Sequence, residues 1–267
     1  ELDQMIATGE QVTIAMLAIA LDKMGVAARS YTGSQVAIRT DKAYNKARIQ
    51  SIDTKRLLAD QRSRALFDGF GAQWLGLDKL ATQPFDEKKF PQMTPELRRA
   101  MVDEARLLFD SIVRENRSVV TFVSADYTFL NRTLASFYGL EDKVTGTDMQ
   151  KVSLTDANRG GILGMPGILA TTSFPHRTSP VKRGVWLLEK LFGTPPSPPP
   201  PDVPPIEPDI RGATTIRQQL EKHRSLQACA DCHAKIDPLG FALEAYDPIG
   251  HFRKIGRASC RERVSSP

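Results

Sequence analysis

Apolar residues recur at three- and four-residue intervals along much of this chain, the period of a helix that buries one face. The clearest case follows Thr94 and Pro95, where Leu97, Met101, Ala105, Leu108 and Ile112 make one continuous stripe. Thr94 suits the N-cap and Pro95 the first helical position. The charged residues between stripe positions, among them Arg98, Arg99, Asp103 and Glu104, read as a solvated face. A second helix is predicted from Tyr127 to Tyr138, burying Phe129, Leu130, Leu134 and Phe137 and ending at Gly139. Leu66 to Leu77 is a third, with Phe67, Phe70 and Trp74 at helical spacing and destined first for the core. Val185 to Phe192 reads as a short amphipathic helix closed by Gly193, and Thr8-Gly9-Glu10-Gln11-Val12 opens an apolar helical pattern running to Met24.

Between these periodic stretches the pattern is broken by turn-forming residues. Val152 to Pro180 is rich in Gly, Ser, Thr and Pro, which favours an ordered loop. Pro195-Pro-Ser-Pro-Pro-Pro-Pro201, continued by Pro204, Pro205 and Pro208, favours polyproline II and a semi-rigid spacer or surface strap. Leu220 to Gln227 reads as polar helix. After His233, Asp237-Pro238 and Leu239-Gly240 are expected to break the helix, with Phe241 to Tyr246 starting another. The fold class that results is mainly α with long irregular loops, preceded by a small α/β fragment at the N-terminus. No internal repeat is evident.

Chemistry concentrates in Cys229-Ala230-Asp231-Cys232-His233. Cys-x-x-Cys-His is the attachment pattern of covalent haem c. Two thiols three residues apart share one side of a helical turn, where both reach the vinyl groups of one porphyrin, and the adjoining His233 ligates the iron. Competing readings are a redox dithiol, which would want a βαβ context, or structural zinc at Cys229, Cys232 and His233, which would want a fourth ligand. For a distal haem ligand the loop offers Met165 or His176, and a five-coordinate or water-ligated iron stays open. His223 and His251 flank the motif and are expected near the haem without reaching the iron. Arg177 and Lys182-Arg183 either pair with haem propionates or stand in solvent. Phe241 and Leu243 pack either on the haem or in an ordinary core.

Composition adds little until the C-terminus is set apart. Ile255-Gly-Arg-Ala-Ser-Cys-Arg-Glu-Arg-Val264 resembles the translation of a short-read sequencing adapter, which excludes residues 254–267 from fold reasoning. Lys254 to Pro267 holds four basic residues and one acid, and so supplies +3 of the formal +5. The remainder is nearly neutral and has no electrostatic footprint for nucleic acid. Cys260 drops out with the tail, leaving both remaining cysteines inside the haem motif. The apolar run Val12 to Leu21 is too short to cross a bilayer and lacks the pattern of a signal peptide, so no transmembrane segment is expected.

Two families are recognisable in the motifs. Thr8-Gly9-Glu10-Gln11-Val12, Val26-Ala-Ala-Arg-Ser-Tyr-Thr-Gly33, Ile38-Arg-Thr-Asp41, Lys46-Ala-Arg-Ile49 and Ile52-Asp-Thr54 resemble an internal piece of aspartate kinase, over about residues 1–58. That likeness implies that Glu10 would contact the aspartate substrate. The kinase family's opening Lys-Phe-Gly-Gly-Thr segment and nucleotide-binding loops are absent, so Glu10 is otherwise expected as a first-turn acid at a helix dipole. From Leu58-Ala-Asp-Gln-Arg-Ser-Arg-Ala-Leu66 onwards the chain resembles planctomycete-type proteins with cytochrome c domains. The same likeness is carried by Gln73-Trp-Leu-Gly-Leu77, Ala125-Asp-Tyr-Thr-Phe-Leu-Asn131, Phe137-Tyr-Gly-Leu140, Arg159-Gly-Gly-Ile-Leu163 and Arg177-Thr-Ser-Pro-Val-Lys-Arg-Gly184. Gly193-Thr-Pro-Pro-Ser-Pro-Pro-Pro200, Asp237-Pro-Leu-Gly-Phe-Ala-Leu-Glu244 and Tyr246-Asp-Pro-Ile-Gly250 complete it.

The join falls in Lys55-Arg-Leu-Leu-Ala-Asp60, as in a chimeric assembly. The expected organisation is a kinase-like fragment over 1–58, a helical scaffold over 59–193, a Pro-rich linker over 194–210, a haem-binding segment over 211–253 and the tail over 254–267. The function expected is a haem-binding, electron-transfer or redox-associated domain of an exported bacterial protein, with haem c as cofactor and a redox partner of unknown identity. The alternatives are an aspartate kinase fragment or a structural zinc module. The cytochrome-type parent would be periplasmic or otherwise extracytoplasmic, the kinase-type parent cytoplasmic. No complete catalytic site is evident.

Overall fold

A computed structural model describes residues 2–41, 48–51, 58–197, 220 and 227–253. His223, Cys260, the proline run from Pro198 onwards, the tail, most of the Leu220–Gln227 stretch and half of the family join lie outside the described residues. The chain forms two compact units, Glu1–Arg64 and Ala65–Pro267.

The first unit is a small α/β piece. Helix α1 (Leu2–Lys23) precedes an antiparallel pair, β1 (Arg39–Thr40) and β2 (Ile49–Ser51). Because α1 begins six residues before Thr8, Glu10 lies well inside the helix and exposed, where the first-turn dipole does not act. The apolar positions that predict α1 stay largely in water; Met16, Leu17 and Ile19 are each more than half exposed.

The second unit is built around α3 (Pro95–Arg114), which follows α2 (Ala72–Leu75). Thr94 adopts extended dihedrals and its side chain accepts from the Leu97 amide at 3.2 Å, with Pro95 at the first position, so this helix starts where its sequence says. Leu97, Met101, Ala105, Leu108 and Ile112 are all buried. The third predicted helix is a π-turn, Phe67–Gly71, running into α2 and stopped by Gly76 in the left-handed region. Phe67 is buried and Trp74 packs on the core, while Phe70 is exposed and stacks on Trp74.

The solvated face proposed for α3 holds for Arg99 and fails at Glu104, which is fully buried. A short helix α4 (Thr121–Ser124) leads to the second difference. Tyr127–Leu130 is a strand, β3, and only Arg132–Tyr138 is helical, as α5. Asn131 decides this: it takes extended dihedrals and accepts from the Leu134 amide at 3.0 Å, so no helix can run through it from Tyr127. Gly139 ends α5 with positive φ, as expected. Strand β3 pairs antiparallel with β4 (Gln150–Ser153), Thr128 opposite Val152.

The Gly/Ser/Thr/Pro-rich stretch after β4 is irregular apart from short turns and α6 (Pro166–Thr171). Helix α7 (Pro180–Lys190) begins earlier than its apolar pattern suggests, because Ser179 caps it through the Lys182 amide and Pro180 follows. The last helix, α8 (Gln227–Ala242), runs unbroken through Pro238, where a break was expected. It lies along α7 at very close range. A Cβ on Gly184 would collide with the Ile236 carbonyl, and one on Gly240 with the Pro180 carbonyl. Two glycines, one on each helix, thus let the backbones meet. That packing holds α8 together across a residue that offers no N–H to the Ala234 carbonyl.

Candidate functional site

An unbroken α8 puts the Cys-x-x-Cys-His residues on one face. Cys229, His233, Ile236, Asp237 and Gly240 are buried and Cys232 is half-buried, while Asp231, Ala234, Lys235 and Pro238 are exposed. Positions three and four apart share a helix face, so this is the pattern the spacing requires. Cys229 and Cys232 are both free thiols. His233 Nδ1 lies 2.8 Å from Asp237 Oδ1, with the Asp237 side chain 1% exposed.

These donors fit a covalent haem in their chemistry. The two thiols are not consumed by a disulfide, they share a face with the imidazole, and Nδ1 is committed to a carboxylate, which makes Nε2 the nitrogen for a metal. Among the described residues no three His, Cys, Asp or Glu side chains are grouped so as to hold a metal ion by themselves.

Met165 is 2% exposed, packed in the core at the start of α6. His176 is exposed. His251 is exposed too; its amide donates to Asp247 Oδ1 and its ring meets Phe137 edge-on at 5.4 Å. Leu243 packs against the hydrophobic core, and Phe241 is half-buried.

Arg183 fits neither role proposed for it. It is 1% exposed, and its guanidinium donates to the carbonyls of Leu243 at 2.6 Å, Tyr246 at 2.9 Å and Asp247 at 2.8 Å, and to Ser173 Oγ at 3.0 Å. It therefore clamps the chain that leaves α8. Arg177 and Lys182 both sit over the Phe174 ring, at 4.6 and 4.0 Å from its centroid. Burial, then the charge of Arg177, pulls the Lys182 ammonium below its ordinary pKa.

Sequence reasoning missed two buried polar groups. One is Asp237, whose four-residue offset from His233 is a helical-neighbour signal hidden by the break expected at Pro238. The other is a cluster around Glu104. Its Oε1 accepts from Thr128 at 2.6 Å and from Tyr138 at 2.5 Å, while Oε2 has no hydrogen-bond partner among the described residues. Arg159 stands over the Tyr138 ring at 4.6 Å and donates to the Gly250 carbonyl at 2.9 Å. Burial raises the Glu104 carboxyl to about 7, against the opposing pull of Thr128, Tyr138 and Arg159.

Comparison with known families finds two matches, the first of which begins within the first unit. Residues 37–140 match PSD4, a protein of unknown function (DUF1592), and residues 159–255 match PSCyt3, a protein of unknown function (DUF1588). The chain matches two planctomycete-type, cytochrome-like families. The PSCyt3 match contains Cys229, Cys232, His233 and Asp237, together with Arg159 and Arg183. Trp74, Glu104 and Tyr138 fall in the PSD4 match, which starts inside the stretch that resembles aspartate kinase.

A further likeness is to aspartate kinases, which makes the chain chimeric in its relationships. It is 59% identical over 63 residues to an aspartate kinase of Pseudomonas fluorescens and 63% over 60 residues to one of Stutzerimonas stutzeri. Against aspartokinase 2 of Bacillus subtilis it is 54% identical over 61 residues. These stretches make up 22–24% of this chain, which spans about 15% of the length of each of those curated relatives. No solved structure matches the chain.

Proposed function

We propose that α8 carries one covalently attached c-type haem and that the second unit is an electron-transfer or redox-associated domain of an exported protein. The observation that carries this reading is the common face of Cys229, Cys232 and His233 on an unbroken helix, with both cysteines held as thiols. Cys229 and Cys232 would hold the porphyrin through thioether bonds and His233 would ligate its iron, the group supplying one-electron chemistry when bound. The match to PSCyt3 supports the assignment, since that region contains the whole motif. Haem c is attached outside the cytoplasm, which favours an extracytoplasmic setting for this part of the chain; no helix among the described residues is long and apolar enough to cross a membrane.

For the first unit, likeness to aspartate kinases supports a shared origin for that segment. Phosphoryl transfer depends on several charged groups positioned together, and Glu10, exposed on α1, supplies a single carboxylate.

Expression with the haem c maturation machinery tests the proposal. The peptide spanning Cys229 to His233 is expected to gain the mass of one haem, with a matching pyridine haemochrome spectrum, and a C229S/C232S variant to lose both. An unmodified peptide, or stoichiometric zinc without covalent haem, would sink the reading.

A further inference from the structure

We propose that Asp237 is a positioning residue for haem iron: its carboxylate accepts the Nδ1 proton of His233, fixes Nε2 as the ligating nitrogen and lowers the reduction potential. This rests on the haem reading above and deepens it. The observations are the 2.8 Å contact between His233 Nδ1 and Asp237 Oδ1 and the near-complete burial of both side chains, 10% and 1% exposed.

Geometry makes the pair a built feature of the fold. The two residues are four apart on one helix, so they meet because α8 stays helical as far as Asp237, the residue before Pro238. Three residues past Asp237, Gly240 lies against the Pro180 carbonyl, and one residue before it the Ile236 carbonyl lies against Gly184. With the backbone on either side pinned to α7 and the carboxylate itself 1% exposed, Asp237 is held beside the imidazole.

The chemistry of such a contact is directional. An ionised acceptor makes a hydrogen bond roughly twice as strong as a neutral carbonyl does, and burial strengthens it further. By drawing the Nδ1 proton towards itself, Asp237 leaves more negative charge on the ring and makes Nε2 a stronger donor to iron. A more electron-rich ligand stabilises iron(III) over iron(II), which is a lower potential. It also selects one tautomer and one ring orientation for His233, so the iron meets a preset ligand.

The test uses the full chain matured with haem c, comparing the parent with D237N and D237E. D237N, a near-isostere without the charge, is expected to shift the iron equilibrium at fixed ambient potential about tenfold towards the reduced form, a rise of about 59 mV for a one-electron couple. D237E, which keeps a carboxylate, should recover at least half of that shift. A D237N protein with covalent haem and native helix content but an unchanged potential would overturn the proposal.

Should D237N fail to fold, resonance Raman of the parent decides, read on the iron–histidine stretch of its ferrous state or photolysed carbon monoxide adduct. A stretch raised above that of a haem carrying neutral imidazole supports the role, and one equal to it defeats it. Absence of covalent haem in the parent is read by mass rather than by potential, and it overturns the haem reading itself.

Discussion

Glu104 shows how much one residue can set. Its carboxyl is fully buried, accepts from Thr128 and Tyr138 and titrates at about 7, against 4.5 for the ordinary group. An acid whose folded pKa is raised holds its proton more tightly when folded, so its support for the fold is complete below pH 4.5 and is lost as pH rises towards 7. From this group alone stability is expected to fall by about 3 kcal/mol across that window and then level off, as denaturation at a series of pH values will show. Glu104→Gln retains an oxygen to accept from Thr128 and Tyr138 and carries no charge. It should flatten the profile and stabilise the protein above pH 7; a variant as pH-dependent as the parent would refute the assignment. Arg183 works differently, since a guanidinium never discharges and its cost of burial is met by the carbonyls around it. Arg183→Met should therefore leave several carbonyls without their donor and destabilise the second unit by about 3 kcal/mol or more, measured by denaturant unfolding.

Among elements, the α7–α8 pair matters most, because it presents the Cys-x-x-Cys-His face. Gly184→Ala and Gly240→Ala each place a methyl into backbone of the facing helix, and each is expected to cost 1–3 kcal/mol or more and to raise the reactivity of Cys229 towards thiol reagents. Gly9→Ala on α1 is the contrasting case. A Cβ there meets nothing within 4 Å, and the substitution should stabilise that helix by about 0.5–1 kcal/mol, visible as a higher melting temperature of helical circular dichroism. Much of this level was legible in the sequence. Thr94, Pro95, Gly139 and the apolar stripe of α3 specify their structure through neighbours a turn away. Two elements were not. Tyr127–Leu130 has a pattern that suits helix or strand; the Asn131 cap bars a continuous helix, and pairing with Gln150–Ser153 makes the segment a strand, while α8 continues past Pro238 because α7 supports it from outside.

For the whole molecule, the two family matches do not correspond to two bodies. Trp74 Nε1 in the PSD4 match donates to the Lys190 carbonyl at 2.8 Å, and Trp186 Nε1 in the PSCyt3 match donates to the Leu75 carbonyl at 3.2 Å. Arg159 adds a third link, running from the neighbourhood of Glu104 and Tyr138 to Gly250. Ala65 onwards is therefore expected to unfold as one cooperative unit. The chain has two tryptophans, so W74F and W186F each leave one reporter in one match. In each variant the remaining indole's fluorescence and hydrogen exchange in α8 should share one denaturation midpoint; separated midpoints would show two independent units. The sequence by itself determined what acts over a few residues: helix periods, caps, the spacing of two thiols and an imidazole, and likeness to two kinds of protein. Tertiary structure decided which polar side chains leave water. Glu104, Arg183 and Asp237 all have the composition of surface residues, and their burial follows from partners on other turns and helices, which supply the hydrogen bonds that make desolvation tolerable.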